Sequence, residues 1–282
     1  MSLNVGRITY LNCVPFFHYL EEMGFAGQVT AGVPSELNRL LSEGKIDVCP
    51  SSSFEYALHS SDYCFLPELS ISSIGPVQSV LWFAPLDAMG LEGKEIFLTG
   101  ESATSINLLK VVMQEFCKVD GVSYRVPDVP VEEVLAQGES ALLIGDRALQ
   151  AARMSRRDDM QVVDLGEIWY QYTGLPFVFA LWIARLEAVK TMSDDLQMLA
   201  AQMQMSRMMA FDRLDELAEE LAPSSGMSVA DLKTYWRTVS YELTDGHLEG
   251  LKLYFTLCHK YGLLDSVPEF QMFSPEDACC VR

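Results

Sequence analysis

Two long apolar runs, Ser-Val-Leu-Trp-Phe-Ala at 79–84 and Phe-Val-Phe-Ala-Leu-Trp-Ile-Ala at 177–184, bracket about a hundred residues that carry their own alternation of short strands and helices. Each run has the length of a strand buried on both faces and falls short of an ordinary helix. A chain that leaves one layer near the first run and returns near the second reads as a double crossover between two lobes. The expected division is a discontinuous first lobe, 1–83 and 181–282, with a helical C-terminal part, and a second lobe, 84–180, with a ligand cleft between them. At 282 residues and 49% hydrophobic content the chain has enough apolar side chains for two cores.

The local pattern within each lobe is α/β. Residues 5–10 read as a strand that runs into the polar tip Tyr10-Leu11-Asn12 and Pro15, with a helix over 16–22 and a second strand near 28–31. Pro34 opens and Gly44 closes a helix whose Leu37, Leu40 and Leu41 share one face. A short buried strand at 46–49 ends in Pro50-Ser51-Ser52-Ser53. In the bracketed segment a strand at 95–99 leads through Gly100-Glu101-Ser102-Ala103-Thr104-Ser105 into a helix reaching about Lys118. A further strand at 141–144 is followed by Gly145-Asp146 and a helix from Arg147. Beyond 188 the periodicity is helical over 194–221, 228–243 and 247–263. Met198, Met203, Met205, Met208 and Met209 fall at helical spacing and read as core packing rather than an adaptable binding face; the acidic run 212–220 reads as a solvated helix face. Strands separated by helices imply parallel layers, in which ligands sit beyond the carboxyl ends of strands. The polar tips stand there.

Composition excludes several function classes. A net charge of −19, with Lys and Arg nowhere clustered, opposes binding to a phosphate backbone, so no nucleic-acid partner is expected. Residues 1–20 lack the pattern of a signal peptide, and no run approaches the ~18 apolar residues of a membrane span, so a cytoplasmic protein is expected. Seven cysteines form no C-x-x-C pair, and the odd count fits reduced thiols. Cys279 and Cys280, in a polar tail, read as incidental, and the four histidines offer no ligand spacing for a metal. Gly100-Glu101-Ser102-Ala103-Thr104 imitates a nucleophile elbow for four positions but ends in Thr where the strained turn needs Gly. Phosphate-binding glycine loops and H-E-x-x-H are absent.

What remains is a concentration of small hydroxyl residues at strand ends and helix starts, including Ser52, Ser53, Ser73, Ser79, Ser102, Thr104 and Ser105. Singly each is a natural helix N-cap. As a set they suit a cleft in which helix N-termini and hydroxyls cradle a carboxylate. Asp146 has the same two readings, N-cap or ligand contact with proton transfer, and Asp47 reads as a local backbone or inter-lobe hydrogen bond. Trp169, Tyr170, Tyr172 and Phe177 form either a cleft wall or core.

Taken together, Gly6-Arg7-Ile8-x-Tyr10-Leu11-Asn12-x-x-Pro15, Pro34-x-x-Leu37-Asn38-x-x-Leu41-x-x-Gly44-x-x-Asp47, Ser72-Ser73-Ile74-Gly75-Pro76-Val77-x-Ser79-Val80, Leu143-Ile144-Gly145-Asp146-x-Ala148 and Thr173-Gly174-Leu175-Pro176-Phe177-Val178-Phe179-Ala180-x-Trp182 resemble the chorismate dehydratase family of futalosine-route menaquinone biosynthesis. The resemblance implies a two-lobed fold like type II periplasmic binding proteins, with two hinge crossover strands. It also implies removal of water from chorismate, a dicarboxylate, to give 3-[(1-carboxyvinyl)oxy]benzoate, with aromatisation as the driving force and neither cofactor nor metal. Carried over by motif position, binding falls to Tyr10, Asn12, Ser52, Ser53, Ser73, Ser79, Ser102, Thr104 and Ser105, with Phe177 as an apolar wall and Asn12 and Asp146 as candidates for the chemistry. The matched motifs hold no histidine, so the substrate's own enolpyruvyl carboxylate is a candidate base beside Asp146. Two alternatives stand: the related enzyme that forms dihydroxynaphthoate, whose opening motif lacks the Tyr-Leu-Asn tip, and a non-catalytic cytoplasmic anion-binding protein on the same fold.

Overall fold

The computed structural model describes residues 2–86, 93–154 and 159–274; Cys279 and Cys280 lie outside the described residues. Eleven strands among them build two sheets. The first has the order β11 (Val239–Ser240), β4 (Tyr63–Ser73), β10 (Phe177–Arg185), β3 (Val48–Ser52), β1 (Asn4–Ile8), β2 (Gln28–Gly32). The second has the order β7 (Ser123–Arg125), β6 (Glu95–Leu98), β8 (Ala141–Ile144), β5 (Val80–Pro85), β9 (Met160–Asp164). β1, β2 and β3 are parallel, as are β6, β7 and β8. Their carboxyl ends therefore share a direction within each sheet, and the loops that follow them gather on one side.

The two apolar runs are the strands that break the parallel pattern. β10 lies antiparallel between β3 and β4, and β5 lies antiparallel between β8 and β9. Both are buried along nearly their whole length, which is why they read as continuous apolar runs. Each stays within one sheet. The chain passes between sheets earlier, at 74–79 and 165–176, so the expected boundaries at 83/84 and 180/181 fall inside strands. Turn residues make the crossings: Gly75 at φ +93, then Pro76, and Gly174 at φ +68, closing the helix Leu165–Thr173 before Pro176. One half-buried carboxylate ties the crossings together. Asp164, at the end of β9, accepts the N–H groups of Val77 and Gln78 from the first and of Gly166 and Glu167 from the second.

The helical third divides more finely than its periodicity predicts. The run 194–221 becomes Ser193–Asp212 and Leu214–Ser225, broken at Arg213; Val229–Thr238 ends in β11, and Asp245–Lys260 follows. Of the five methionines only Met203 is fully buried, while Met198, Met205 and Met208 are exposed. The inward face of that helix includes Leu196, Leu199 and Ser206, whose hydroxyl accepts the Tyr19 N–H and donates to the Pro15 carbonyl. The acidic side chains of 212–220 are exposed. Asp47 accepts the Asn4 N–H at 2.9 Å, a backbone tie where β1 and β3 begin.

Candidate active site between the sheets

Four helices begin at the wall of one cavity. Pro34 opens Pro34–Ser42, Ser52 caps Ser53–Leu58, Ser102 caps Ala103–Val111 and Gly145 opens Gly145–Met154, and all four residues line the space. The parallel strands of both sheets deliver these starts to the cleft, so unpaired N–H groups and positive helix ends converge there. The space among these walls, counted together with its opening to solvent, is about 570 Å³.

Six of the residues expected from sequence reach this wall: Tyr10, Asn12, Ser52, Ser79, Ser102 and Ser105. Capping and lining coincide at two of them. Ser52 accepts the Glu55 N–H at 3.3 Å, and Ser102 accepts the Ser105 N–H at 3.3 Å. The structure does not bring Ser53, Ser73, Thr104, Phe177 or Asp146 to the wall, and each has a physical reason. Ser53 and Thr104 are fully buried and committed to one another: their hydroxyl oxygens are 3.2 Å apart, Ser53 donates to the Val178 carbonyl at 2.8 Å, and Thr104 accepts the Phe54 N–H at 2.9 Å. They join the helix that follows β3 to the helix that follows β6. Ser73 is packed against Gly166, where a Cβ would come within 2.5 Å of its oxygen, and its hydroxyl has no partner. Phe177 sits in an aromatic cluster with Trp169 and Tyr254, at centroid distances of 5.1 and 5.0 Å. Trp169 is likewise core, whereas Tyr170 and Tyr172 are exposed. Asp146 accepts the Leu11 N–H at 3.1 Å across the cleft and holds the turn that carries Asn12. Burial pushes its carboxyl up to about 6, against the opposing pull of that hydrogen bond.

Sequence reasoning missed a polar network at the mouth. Tyr10 Oη donates to Glu101 Oε2 at 2.9 Å, joining the turn after β1 to the turn after β6. Glu101 Oε1 accepts from Arg147 Nη1 at 2.9 Å, and Arg147 also donates twice to Glu132, at 2.6 and 2.5 Å. Burial and the neighbouring Glu101 carboxylate raise the Tyr10 phenol well above its ordinary range. Glu101 stands in the wall, while no Lys or Arg lines it among the described residues. Arg147, directly behind Glu101, supplies the compensating charge. Phe179, two residues beyond Phe177, joins Tyr10 as an aromatic side chain lining the cavity. Cys13 also lines it, with a thiol pushed up to about 12 by burial, so it is neutral and a poor nucleophile near pH 7. Among the described residues no three His, Cys, Asp or Glu side chains converge as a metal site. The arrangement suits holding an anion with neutral donors and helix ends, and orienting it.

A family model described as menaquinone biosynthesis matches residues 3–260. The chorismate dehydratase of Thermus thermophilus is 33% identical over 285 residues, covering 96% of this chain and 98% of that protein. The 1,4-dihydroxy-6-naphtoate synthase of the same organism is 31% identical over 169 residues, 56% of this chain and 58% of that protein. Among solved structures, a Candida albicans protein of the generic periplasmic-binding-protein fold superposes with a TM-score of 0.71 at 13% identity, covering 95% of this chain and 92% of that one. That likeness is one of fold.

Proposed function

The chain belongs to the menaquinone-biosynthesis family, and we propose that it acts there as a chorismate dehydratase, a hydro-lyase that converts chorismate to 3-[(1-carboxyvinyl)oxy]benzoate in the futalosine route. The observation that carries this reading is the end-to-end match to a chorismate dehydratase. The wall supports it: neutral hydroxyls, one amide and four helix starts are suited to a dianion that must be oriented rather than chemically activated.

The reaction removes the proton at ring C3 and the hydroxyl at C4. The C3–H electron pair becomes part of the aromatic ring, the C4–O bond breaks, and water is released. Aromatisation drives it, so the protein needs neither cofactor nor metal in this reading. The wall carboxylate, Glu101, already accepts hydrogen bonds from Tyr10 and Arg147. That leaves the substrate's enolpyruvyl carboxylate as the base in our reading, held near C3 by Asn12 and the serines. A well-oriented intramolecular group reaches effective molarities of about 10⁵ M or more, which offsets its weak basicity. Asn12 and Ser79 then contact the reacting part of the ligand, Ser52, Ser102 and Ser105 hold its carboxylates, and the Tyr10 ring packs beside it.

We place the protein in the cytoplasm with its biosynthetic substrate; among the described residues no helix is long and apolar enough to cross a membrane. The two lobes would close about the crossings at Gly75-Pro76 and Gly174-Leu175-Pro176. The partial match to a naphthoate synthase makes that enzyme the second reading. Incubation with chorismate alone, followed by liquid chromatography and mass spectrometry, separates them. A product one water lighter, absent with Asn12→Ala, supports the dehydratase; intact chorismate removes it and moves weight to the naphthoate-forming reaction or to binding without turnover.

A further inference from the structure

Behind the cavity wall the helix Val229–Thr238 buries Tyr235 completely, and its hydroxyl, set against the side chains of Ser79 and Asn12, makes no hydrogen bond of good geometry to either. A buried hydroxyl left poorly paired is unfavourable, so its retention calls for a use. The oxygen faces the side chains of Ser79 and Asn12, with the Asp146 carboxylate and the Cys13 thiol close by. Asn12 Oδ1 is also buried without a partner, and the Ser79 hydroxyl reaches only the Val77 carbonyl, at 3.5 Å. Three polar groups on three separate chain segments therefore meet in weak contact, with capacity left for well-formed hydrogen bonds.

The same helix is fastened to both of those segments. Trp236 Nε1 donates to the carbonyl of Leu11, next to Asn12, at 2.8 Å. Thr238 Oγ1 accepts from Gln78 Nε2, next to Ser79, at 3.1 Å. Tyr235 thus stands on a rigid element tied to the turn after β1 and to the approach to β5, one from each side of the cleft. Burial keeps its phenol protonated far above neutral pH, so it serves both as donor and as acceptor.

We propose that Tyr235 is a positioning residue for the dehydration: its hydroxyl fixes the Asn12 amide and the Ser79 hydroxyl in the orientation that engages the reacting end of the substrate. The assignment rests on the dehydratase reading. It accounts for the three weakly paired groups together and gives the helical third of the chain a role at the site.

Tyr235→Phe removes one oxygen and keeps the ring. With chorismate as substrate, the variant is expected to lose about 10- to 100-fold in kcat, the scale of a misplaced reacting group, with KM within about threefold and thermal midpoint unchanged or higher. In a Ser79→Ala background the same substitution should cost clearly less than in the wild-type background, because one of the two groups it positions is gone. Full kcat in Tyr235→Phe, or an identical loss in both backgrounds, overturns the assignment, since a purely structural role moves stability and acts independently of Ser79. Wild-type turnover is the separate check on the dehydratase reading: if wild type leaves chorismate intact, both fall, whereas an active wild type with an unaffected Tyr235→Phe removes only the positioning role.

Discussion

Asp146→Asn separates two roles that a buried carboxyl beside a cleft can play. Burial raises the Asp146 carboxyl from its ordinary 3.8 to about 6 in the folded protein. At about 1.4 kcal/mol per pH unit, keeping it ionised in the fold costs about 3 kcal/mol. Because the folded value lies above the unfolded one, the folded state binds the proton more tightly; the associated stability is complete below about pH 4 and is lost as the pH rises to about 6. Asparagine carries no charge to desolvate, and its Oδ1 can still accept the Leu11 N–H that Asp146 now receives. Relative to wild type, Asp146→Asn should therefore gain up to about 3 kcal/mol at pH 8 and close to nothing near pH 3, read as a urea-midpoint difference that opens across that interval. Parallel stability curves, or a less stable variant at pH 8, would refute the burial argument. The same variant tests the base. With the proton taken by the substrate's carboxylate, turnover at saturating chorismate stays within about threefold of wild type. If turnover vanished with affinity and fold intact, Asp146 would be the base and the intramolecular route would be abandoned.

Arg147→Met leaves Glu101 and Glu132 without their shared cation beside the cleft; chorismate affinity measured by calorimetry should fall about tenfold or more at low ionic strength and less in high salt, and a salt-independent change would count against an electrostatic cause. Thr104→Val strips the acceptor from the buried Phe54 N–H and should cost about 1–3 kcal/mol in urea unfolding, while Thr104→Ser, which keeps the hydroxyl, should cost less; a loss in Thr104→Ser with none in Thr104→Val would mean that the methyl, not the hydroxyl, makes this tie. Gly145→Ala places a Cβ at φ +59 and 3.3 Å from the Tyr10 ring; a loss of about 1–2 kcal/mol from the left-handed backbone should come with a higher KM as Tyr10 shifts, and an unchanged KM would detach Tyr10 from ligand binding.

The parts of the site legible in the sequence are those fixed by local order. A buried strand, a polar tip and a helix start in succession mark the strand ends at Tyr10 and Asn12, at Ser52 and at Ser102, and the fold brings those tips to one cavity because parallel strands point one way. Within a tip the sequence fails by a single residue. Of three consecutive serines, Ser51 donates to Asn38, Ser52 lines the cavity and Ser53 turns to Val178 and Thr104; side chains alternate along a strand, so the choice depends on where strand passes into helix. Phe177 and Phe179 differ for a related reason. The pairing of β10 with β4 is irregular between Val178 and Ala180, and a bulge that re-aims side chains leaves no mark in an apolar run. The network of Tyr10, Glu101 and Arg147 could not be read at all, because it spans two lobes whose distance no local pattern sets. Tyr235 was hidden by its neighbours, in a helix whose buried residues otherwise read as packing.

The charge of the wall follows from what the chemistry leaves for the protein to do. A cluster of cations would hold a dianion tightly, but it would hold substrate and transition state alike and so would lower KM without raising kcat. Here the free energy of aromatisation lies in the substrate, and no large new charge has to be stabilised beyond the departing hydroxyl and the migrating proton. Geometry is the scarce quantity. Neutral donors on helix starts give directional bonds with moderate attraction, and one carboxylate, Glu101, restrained by Tyr10 and Arg147, opposes any ligand that would place a further negative charge against it, by about 3 kcal/mol at 5 Å in a medium of effective dielectric near 20. A chain of net charge −19 can therefore hold a dicarboxylate by position rather than by cationic charge in the wall, and it places its rigid bracing, the Thr104 tie, the Asp164 clamp and the helix bearing Tyr235, where position is decided.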